Sequence, residues 1–320
     1  MAKPTDDETL ALIGRDYYLG NMSKVEIATS YGISRFQVAR MLEEARSKGI
    51  VRIDVVFPNS HTAADPRRLR DALGVEAVIV TPTGADDART RDLMAQAAAK
   101  ELVKRARPGF TVGISWSRTL DLAARHIDTL PPCDLVQLAG ALPVPGSGNS
   151  MELLRVLGHA TTGRTWPIWA PLVVENTATA ESLKRQPEIS QALTKADTLD
   201  LAVVALGSWK PGTSTVWDRV DNATRLACTK AGAVAECSGR LLDADGDPVL
   251  TDLDDRVIAV TIEQLRHTPH VVVVAQGAER TDAVRAAARA GIIGTLIVDE
   301  ELAEVLEEQE SHERRQAPAT

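Results

Sequence analysis

Two short helices joined by a tight turn are predicted between residues 23 and 42, and this stretch, SKVEIATSYGISRFQVARML, constrains the fold more than any other. An S-x-x-E capping box begins at Ser23 and an S-x-x-Q capping box begins at Ser34, so two helix starts are signalled in one short window. Between them, Gly32 can adopt the positive φ that ends a helix. The pattern indicates two helices packed as one unit.

The apolar residues of this stretch are spaced so that both helices bury one common face, and Ala28 is small where the helices would cross. The buried positions are Ile27, Tyr31, Ile33, Val38 and Met41. Together with the caps they predict a helix-turn-helix, whose second helix enters the major groove of DNA by its N-terminal residues. The alternative is a surface helical hairpin that binds no DNA.

The second helix leaves Arg35, Phe36, Gln37 and Arg40 pointing outward. Arginine can bond guanine through two hydrogen bonds, glutamine can do the same for adenine, and phenylalanine can pack on a thymine methyl group. Gln37 also completes the second capping box, so a base contact and a purely structural role both remain open for it. With the two cap residues included, the predicted DNA-binding set is Ser23, Ser34, Arg35, Phe36, Gln37 and Arg40.

The charge of the chain is unevenly distributed, which favours a small DNA-binding module. The 320 residues carry a net charge of −8, whereas residues 11–53 hold seven Lys or Arg against four Asp or Glu. An acidic body argues against a surface that coats nucleic acid, and a local basic module suits site-specific binding. The length corresponds to about two domains, and 44% hydrophobic and 25% charged residues are ordinary for a globular protein.

Membrane, secreted and metal-binding classes are not supported by the sequence. No segment approaches about eighteen uncharged apolar residues, and residues 1–10 lack the core of a signal peptide. The cysteines are odd in number and show no metal-ligand spacing, so we expect buried thiols, no metal and no cofactor in a cytoplasmic protein. The cysteines are Cys133, Cys228 and Cys237.

After the helical pair the sequence predicts a change of fold class. Residues 50–56 alternate in polarity and predict a strand or wing, and residues 57–66 read as a linker, with the domain boundary near residue 60. Beyond it, strands alternate with helices, which is typical of a parallel α/β sheet. The predicted organisation is an N-terminal all-α helix-turn-helix domain (1–56), the linker, an α/β effector-binding and oligomerisation domain with a mostly parallel sheet (67–308), and a flexible tail (309–320).

The element predictions follow from hydrophobic periodicity. Helices are predicted at 10–19, 87–105 and 119–126, in addition to the helix-turn-helix. Strands are predicted at 77–80, 111–115, 135–138, 167–169, 201–206, 257–260, 271–274 and 295–298.

The strongest ligand-binding candidate is the turn at 113–119, GISWSRT, where a strand ends and a helix begins. Ligands of open α/β sheets collect at such strand ends. The backbone N–H groups, the hydroxyls of Ser115, Ser117 and Thr119, and the guanidinium of Arg118 could all bond a phosphate. A simple capped helix after a strand has the same composition and is the alternative.

Two further strand ends carry glycines that permit close approach of a ligand to the backbone. They are Gly207 and Gly277, the second followed by Glu279 and Arg280. Each is also explained by an ordinary strand-to-helix turn. Residues 241–246, LLDADG, predict a hairpin turn, and the residues after them lack the acidic spacing of a calcium loop.

Taken in order, these motifs resemble the SorC family of bacterial transcriptional regulators, and the similarity covers nearly the whole chain. The segment from Tyr17 to Ile53 is similar to the DNA-binding region of the family. The other motifs that carry the resemblance are VGISWSRTL (112–120), GAVAECSGR (232–240) with DADG (243–246), and GAER (277–280) through GIIGTLIVDE (291–300).

The resemblance implies an effector domain with the fold of sugar-phosphate isomerases and CoA transferases. It also implies a sugar or sugar-phosphate inducer and dimers or tetramers on palindromic operator DNA. Phosphate would be held by the 113–119 turn, sugar hydroxyls by Glu236, and Arg280 would supply a cation. The full effector-binding set is Gly113, Ser115, Trp116, Ser117, Arg118, Thr119, Gly207, Glu236, Asp245, Gly277 and Arg280.

The sequence departs from the family at four positions. Ser117 stands where the family has Gly, and Arg280 replaces a Lys, which keeps the charge but enlarges the head group. Ala139 stands where the deoxyribonucleoside regulators have a Lys that forms a Schiff base, so covalent capture is excluded at this position. Ala235 occupies a common Gly position, and its added methyl group would be expected to narrow the pocket.

We therefore predict a transcriptional regulator of a carbohydrate or polyol operon, controlled by a sugar effector. The alternative is a sugar-phosphate isomerase-like enzyme with an accessory helical domain. For that alternative, Glu236, Asp243 and Asp245 are the available acid/base residues, but a turn and a hydroxyl acceptor explain them more simply.

Overall fold

The computed structural model describes residues 6–51, 64–141 and 150–316. The chain divides into two compact units, Met1–Ser60 and His61–Thr320. Most of the predicted wing (50–56) and linker (57–66) lies outside the described residues, so both stay predictions.

Three helices form the first unit: α1 (Asp6–Tyr18), α2 (Lys24–Tyr31) and α3 (Arg35–Ser47). Both predicted capping boxes are complete, with Ser23 and Ser34 as the N-cap residues. Gly32 ends α2 in the left-handed conformation, with φ of 66°. The tight turn between α2 and α3 is therefore set by the two features that the sequence signals.

A small apolar core joins these three helices. Ile13 of α1 is fully buried against Ile27 of α2 and Val38 of α3. Tyr31, Ile33 and Met41 are only partly buried and pack around it. The first unit is the predicted helix-turn-helix with α1 as its support.

The second unit alternates strands and helices. Its strands are β1 (Ala77–Thr81), β2 (Thr111–Ile114), β3 (Asp134–Gln137), β4 (Thr165–Trp166), β5 (Leu201–Ser208), β6 (Ala235–Cys237), β7 (Arg240–Leu242), β8 (His270–Ala275) and β9 (Thr295–Asp299). Its helices are α4 (Pro66–Leu73), α5 (Asp87–Arg105), α6 (Arg118–Ala124), α7 (Ser150–Ala160), α8 (Thr177–Lys184), α9 (Pro187–Lys195), α10 (Asn222–Lys230), α11 (Asp252–Arg256), α12 (Ile262–Arg266), α13 (Thr281–Arg289) and α14 (Glu300–Gln316). Short 3₁₀ turns occupy Ala196–Thr198, Trp217–Arg219 and Ala278–Arg280.

The main sheet has the strand order β1-β9-β8-β5-β2-β3-β4, and its pairings are all parallel. The β6–β7 hairpin pairs antiparallel with the last residues of β5. The predicted α/β fold with a mostly parallel sheet is confirmed.

Successive residues of the central strands face two different cores. In β8, Val271 and Val273 belong to one core with helices α13 and α14, whereas Val272 and Val274 belong to the other with α5, α6 and α7. The sheet is therefore covered by helices on both faces, which explains why its strands are continuous apolar runs.

Two strand predictions are wrong. The strand near Trp166 ends before Pro167, whose ring nitrogen has no hydrogen to donate to a neighbouring strand. Residues 257–260 make only isolated antiparallel bridges, at Val257 and Ala259, because their N–H groups bond alternately to the segments around residues 138 and 172. The last helix continues to Gln316, so the tail predicted from residue 309 begins as helix, and its flexibility stays a prediction.

Candidate effector-binding cavity and DNA-contacting helix

A cavity of about 420 Å³ lies at the carboxyl edge of the parallel sheet in the second unit. The residues after the strand ends line it, which is where open α/β sheets bind ligands. From β1 to β3 along the sheet, they include Thr83, Asp299, Gly277, Gly207, Ser115 and Ala139. The volume falls in the range of small-molecule sites, roughly 300–1,000 Å³.

All but two of the predicted effector-binding residues line this cavity. The lining members are Ser115, Trp116, Ser117, Arg118, Thr119, Gly207, Glu236, Gly277 and Arg280. The cavity thus brings together residues that are up to 165 positions apart in the chain, as between Ser115 and Arg280.

Gly113 does not line the cavity and has a packing role. A Cβ atom added there would lie 2.5 Å from Leu138 Cδ2, because the Leu138 side chain packs directly on the glycine. Gly113 is therefore needed for close packing below the 115–119 turn.

Asp245 is also outside the cavity, in an exposed turn after β7. The Asp243 carboxylate accepts the N–H groups of Asp245 and Asp247, and Leu242 bridges to Pro248, as expected of the predicted chain reversal. Arg289, the last residue of α13, donates to the carbonyl of Ala244. Since α13 begins beside the cavity and runs away from it, the DADG motif is a structural turn here.

In the 115–119 turn, the serine hydroxyls already hold the backbone in place. Ser115 Oγ accepts the N–H of Ala205 at 3.2 Å, and Ser117 Oγ caps α6 by accepting the N–H of Leu120 at 3.1 Å. A hydroxyl also has one hydrogen to donate, so both can still donate to a ligand oxygen. The Arg118 side chain is exposed and has no hydrogen-bond acceptor or ion-pair partner among the described residues.

The carboxyl group of Glu236 is buried and acts as a hydrogen-bond acceptor. Its Oε2 accepts the Ser214 hydroxyl at 3.0 Å, and its Oε1 accepts the N–H of Gly239 at 2.6 Å. Burial raises the pKa of Glu236, and these two hydrogen bonds act against the rise. Gly207, the register partner of Glu236, would place an added Cβ only 2.6 Å from the Thr213 carbonyl oxygen.

Arg280 is held by its own turn. Its Nη1 donates to the Gln276 carbonyl oxygen. The same nitrogen lies 2.5 Å from Glu279 Oε1, and Nη2 lies 3.5 Å from the Thr213 carbonyl oxygen. Gly277 permits this turn because its φ is 90° and an added Cβ would lie 2.6 Å from Glu279 Oε2. The positive charge of Arg280 is thus already paired with a carboxylate.

Helix α5 contributes cavity residues that the sequence motifs did not indicate. Thr83, Asp87, Thr90 and Arg91 line the cavity from the loop after β1 and the first turns of this helix. Burial lowers the pKa of Arg91, and the nearby charge of Arg118 lowers it further. The available signal was positional, since α5 follows a parallel strand in the same way as α6.

The turn formed by Ser238 and Gly239 is a second feature that the sequence motifs did not indicate. Both residues have positive φ, 53° and 86°, and they join β6 to β7 as a two-residue hairpin turn. Both line the cavity, and Ser238 Oγ is buried without a geometrically acceptable hydrogen-bond partner in the described part of the chain.

The N-terminal half of α3 carries the residues predicted to contact DNA. Arg35, Phe36, Gln37 and Arg40 are all exposed, and Phe36 retains 72% of its accessible surface. The Arg35 guanidinium lies 4.9 Å from the centre of the Phe36 ring. These side chains form one accessible surface at the start of the helix.

The cap residues have structural roles in this unit. Gln37 Oε1 accepts the N–H of Ser34 at 2.9 Å, and Ser34 Oγ accepts the N–H of Gln37 at 3.2 Å. Ser23 makes the equivalent pair with Glu26. Capping therefore accounts for Ser23, Ser34 and Gln37, and their DNA contacts stay predictions.

Within residues 6–51, 64–141 and 150–316, no three His, Cys, Asp or Glu side chains are grouped so as to hold a metal ion. No helix in these same ranges combines the length and apolar character that crossing a bilayer requires.

Residues 58–306 match the protein family described as "Putative sugar-binding domain". The transcriptional regulator YjhU of Escherichia coli K12 is 27% identical to this chain over 303 residues, which are 91% of each protein. The deoxyribonucleoside regulator of Bacillus subtilis is 26% identical over 299 residues, covering 91% of this chain and 95% of that protein.

Among solved structures, the full-length sorbitol operon regulator SorC from Klebsiella pneumoniae is similar in fold. Its TM-score is 0.70 at 19% identity, with 94% of this chain and 99% of that chain covered. The two sequence relatives are both named as regulators, which counts against the enzyme alternative.

Proposed function

Because the chain belongs to the sugar-binding domain family of SorC-type transcriptional regulators, we propose that its effector is a phosphorylated sugar or polyol, bound at the carboxyl edge of the sheet. The protein is a DNA-binding transcriptional regulator controlled by a sugar effector. The proposal concerns the chemistry of that effector and the way it acts.

The observation that carries the proposal is the Arg118 guanidinium, which has no protein acceptor in the described ranges and opens onto the cavity. Ser115, Ser117 and Thr119, which carry hydroxyl groups, line the same cavity. Charged guanidinium donors together with hydroxyl donors match the oxygens of a phosphate group. This set supports the 115–119 turn as the phosphate anchor.

The sugar portion would lie toward Glu236. A buried carboxyl group that already accepts two hydrogen bonds retains capacity to accept more, and sugar hydroxyls are the donors that fit. Ser238 on the adjacent hairpin turn adds a hydroxyl with unused hydrogen-bonding capacity. The cavity therefore has a cationic end for phosphate and an acceptor-rich end for hydroxyls.

The regulator would act as an oligomer, a dimer or a tetramer, on a palindromic operator of a carbohydrate or polyol operon in the cytoplasm. Effector binding would shift the arrangement of the subunits and thereby the spacing of the α3 helices. Such coupling requires that the effector bind one arrangement more tightly than the other. Relatives named for sorbitol and deoxyribonucleoside control support a carbohydrate or polyol operon.

A thermal-shift screen tests the proposal directly. The full chain would be heated with a panel of pentose, hexose and polyol phosphates and, separately, with their unphosphorylated parents. A ligand at a hundred times its Kd stabilises the folded state by about 2.7 kcal/mol, which gives a clear shift. Stabilisation by one phosphorylated compound alone supports the proposal, whereas stabilisation only by unphosphorylated compounds refutes the phosphate assignment.

A turnover assay with the stabilising compound addresses the enzyme alternative. The regulator proposal predicts that the compound is recovered unchanged and that it alters operator binding. Conversion of the compound, with no effect on DNA binding, would favour the isomerase-like alternative.

A further inference from the structure

We propose that Arg91 of α5 and Arg118 of α6 together clamp the effector phosphate, and that Arg280 has a supporting role in the turn that carries it. This inference rests on the proposed phosphorylated effector. To Arg118, which lies in a sequence motif, it adds Arg91 of α5, which lies in none of them.

Arg91 is a partly buried guanidinium without a protein acceptor. It projects from the second turn of α5, and its side chain lines the cavity together with Asp87 and Thr90. No hydrogen bond or ion pair links it to another of the described residues. Since a buried charge is costly unless it is paired, the most direct partner is an anion that enters the cavity.

Arg118 lies close enough to influence Arg91. Burial lowers the pKa of Arg91 most, the positive charge of Arg118 lowers it next, and the charge of Arg280 lowers it to a smaller extent. Asp87, one turn earlier on α5, opposes this effect but forms no ion pair with Arg91. Two guanidiniums that line one cavity repel each other, and a phosphate dianion placed between them would relieve that repulsion.

Arg280 differs from Arg91 and Arg118 because its positive charge is already paired with the Glu279 carboxylate. Glu279 Oε1 lies 2.5 Å from its Nη1, and its side chain is only 14% exposed. It also donates to two carbonyl oxygens, those of Gln276 and Thr213. These bonds join the turn after β8 to the loop after β5, so Arg280 holds two walls of the cavity together. To serve as the main phosphate ligand it would have to leave Glu279.

The geometry also gives the ligand an orientation. The phosphate would lie against α5 and α6, and the hydroxyl-bearing portion would extend toward Glu236 and the β6–β7 hairpin. The pair would act as a double fork, since each guanidinium can donate two parallel hydrogen bonds to phosphate oxygens. A lysine in place of Arg91 would keep the charge and lose the fork.

The experiment measures phosphate affinity in four single Arg→Gln variants of the full chain, together with Arg91→Lys and the Arg91→Gln, Arg118→Gln double variant. Inorganic phosphate is the probe, titrated by calorimetry at constant ionic strength, with the stabilising sugar phosphate as a second probe. The four Arg→Gln variants are Arg91→Gln, Arg118→Gln, Arg280→Gln and the control Arg89→Gln. Arg89 lies on the same helix but pairs with Asp92 at 2.8 Å and does not line the cavity, so it matches the charge change without the proposed role.

We expect Arg91→Gln and Arg118→Gln each to weaken phosphate binding about tenfold or more, as the loss of charge-assisted hydrogen bonds predicts. Arg91→Lys should retain part of the affinity. The double variant should lose less than the product of the two single losses, because both side chains act on one group. Arg89→Gln should bind phosphate as the unmodified chain does, and the melting temperature without ligand will show that each variant folds.

Three results would overturn the inference, and they separate it from the proposed function. If the unmodified chain binds phosphate and Arg91→Gln binds it equally well, the clamp is wrong but the phosphorylated effector stands. The same holds if Arg280→Gln is the only folded variant that loses binding. If the unmodified chain responds to neither inorganic phosphate nor any sugar phosphate, the proposed function fails and the clamp fails with it.

Discussion

The Tyr31 hydroxyl donates a 2.7 Å hydrogen bond to the Asp16 carboxylate, which ties the second helix of the first unit to the first. This bond lowers the pKa of Asp16, and the adjacent Arg15 guanidinium adds to the effect. A carboxyl group whose pKa is lowered by folding stabilises the folded state above the ordinary aspartate pKa. That contribution is lost as the pH falls through the lowered value.

Tyr31→Phe should therefore lower the melting temperature of the first unit at neutral pH. It should also make this melting temperature fall less steeply as the pH is lowered. Thermal unfolding followed by circular dichroism between pH 7 and pH 2, with α-helical signal as the readout, measures both. An acid transition identical to that of the unmodified chain would show that the bond contributes nothing. Tyr17→Phe is a suitable control, because no hydrogen bond from the Tyr17 hydroxyl is found among the described residues.

Gly113→Ala should destabilise the second unit through overpacking against Leu138. An added Cβ would lie 2.5 Å from Leu138 Cδ2, and overpacking of this kind costs about 1–3 kcal/mol. Leu138→Ala alone should cost about 2–5 kcal/mol. The double variant should be more stable than the sum of the two predicts, and strict additivity in urea unfolding would argue for a different role of Gly113.

Gly207→Ala should weaken the effector response while the chain still binds DNA. The added Cβ would lie 2.6 Å from the Thr213 carbonyl oxygen, so the loop after β5 must move away from Glu236. The measurement is the effector concentration that half-maximally alters operator binding. A control is Gly158→Ala, which also lacks a positive φ, does not line the cavity, and would place its added Cβ 3.0 Å from the Thr165 methyl group. Equal responses in the two variants would contradict the close-approach argument.

Arg35→Ala and Arg40→Ala should weaken operator binding and leave effector binding unchanged. Each well-placed bidentate contact to a base contributes about 1–3 kcal/mol of discrimination, so roughly tenfold or larger losses are expected. The operator would first be recovered by selection from random duplexes, and affinity then measured at fixed salt. Arg46→Ala removes the same charge near the C-terminal end of α3, away from the N-terminal surface. If all three variants lose affinity equally for every duplex, Arg35 and Arg40 contribute only positive charge and do not recognise bases.

The first unit could be predicted closely because its signals are local. Capping boxes at Ser23 and Ser34 act over three residues, and Gly32 needs only its own φ. The central strands were also predictable, because burial on both faces makes them continuous apolar runs. Tertiary hydrogen bonding decided the failures, as at residues 257–260, where the backbone pairs with two irregular segments instead of the sheet.

The cavity was predictable from strand ends but not from residue chemistry alone. Turns after parallel strands must meet at one edge, so Ser115, Gly207 and Gly277 were placed together correctly. Arg91 was missed because helical periodicity does not reveal which side chain at a helix start turns toward a neighbouring element. Asp245 was included because the DADG motif resembles a family signature, yet its backbone stands at the far end of α13.

Gly207 and Glu236 are register partners across the junction of β5 and β6. The first five residues of β5 pair with β8 in the middle of the main sheet, and its last three pair with the hairpin that carries Glu236. A sugar hydrogen-bonded to the Glu236 carboxyl group would therefore act on the hairpin that pairs with β5, a continuous strand packed between the two hydrophobic cores. Because the two cores are close-packed on both sides of β5, we expect ligand binding to move the turns around the cavity before it moves the strand.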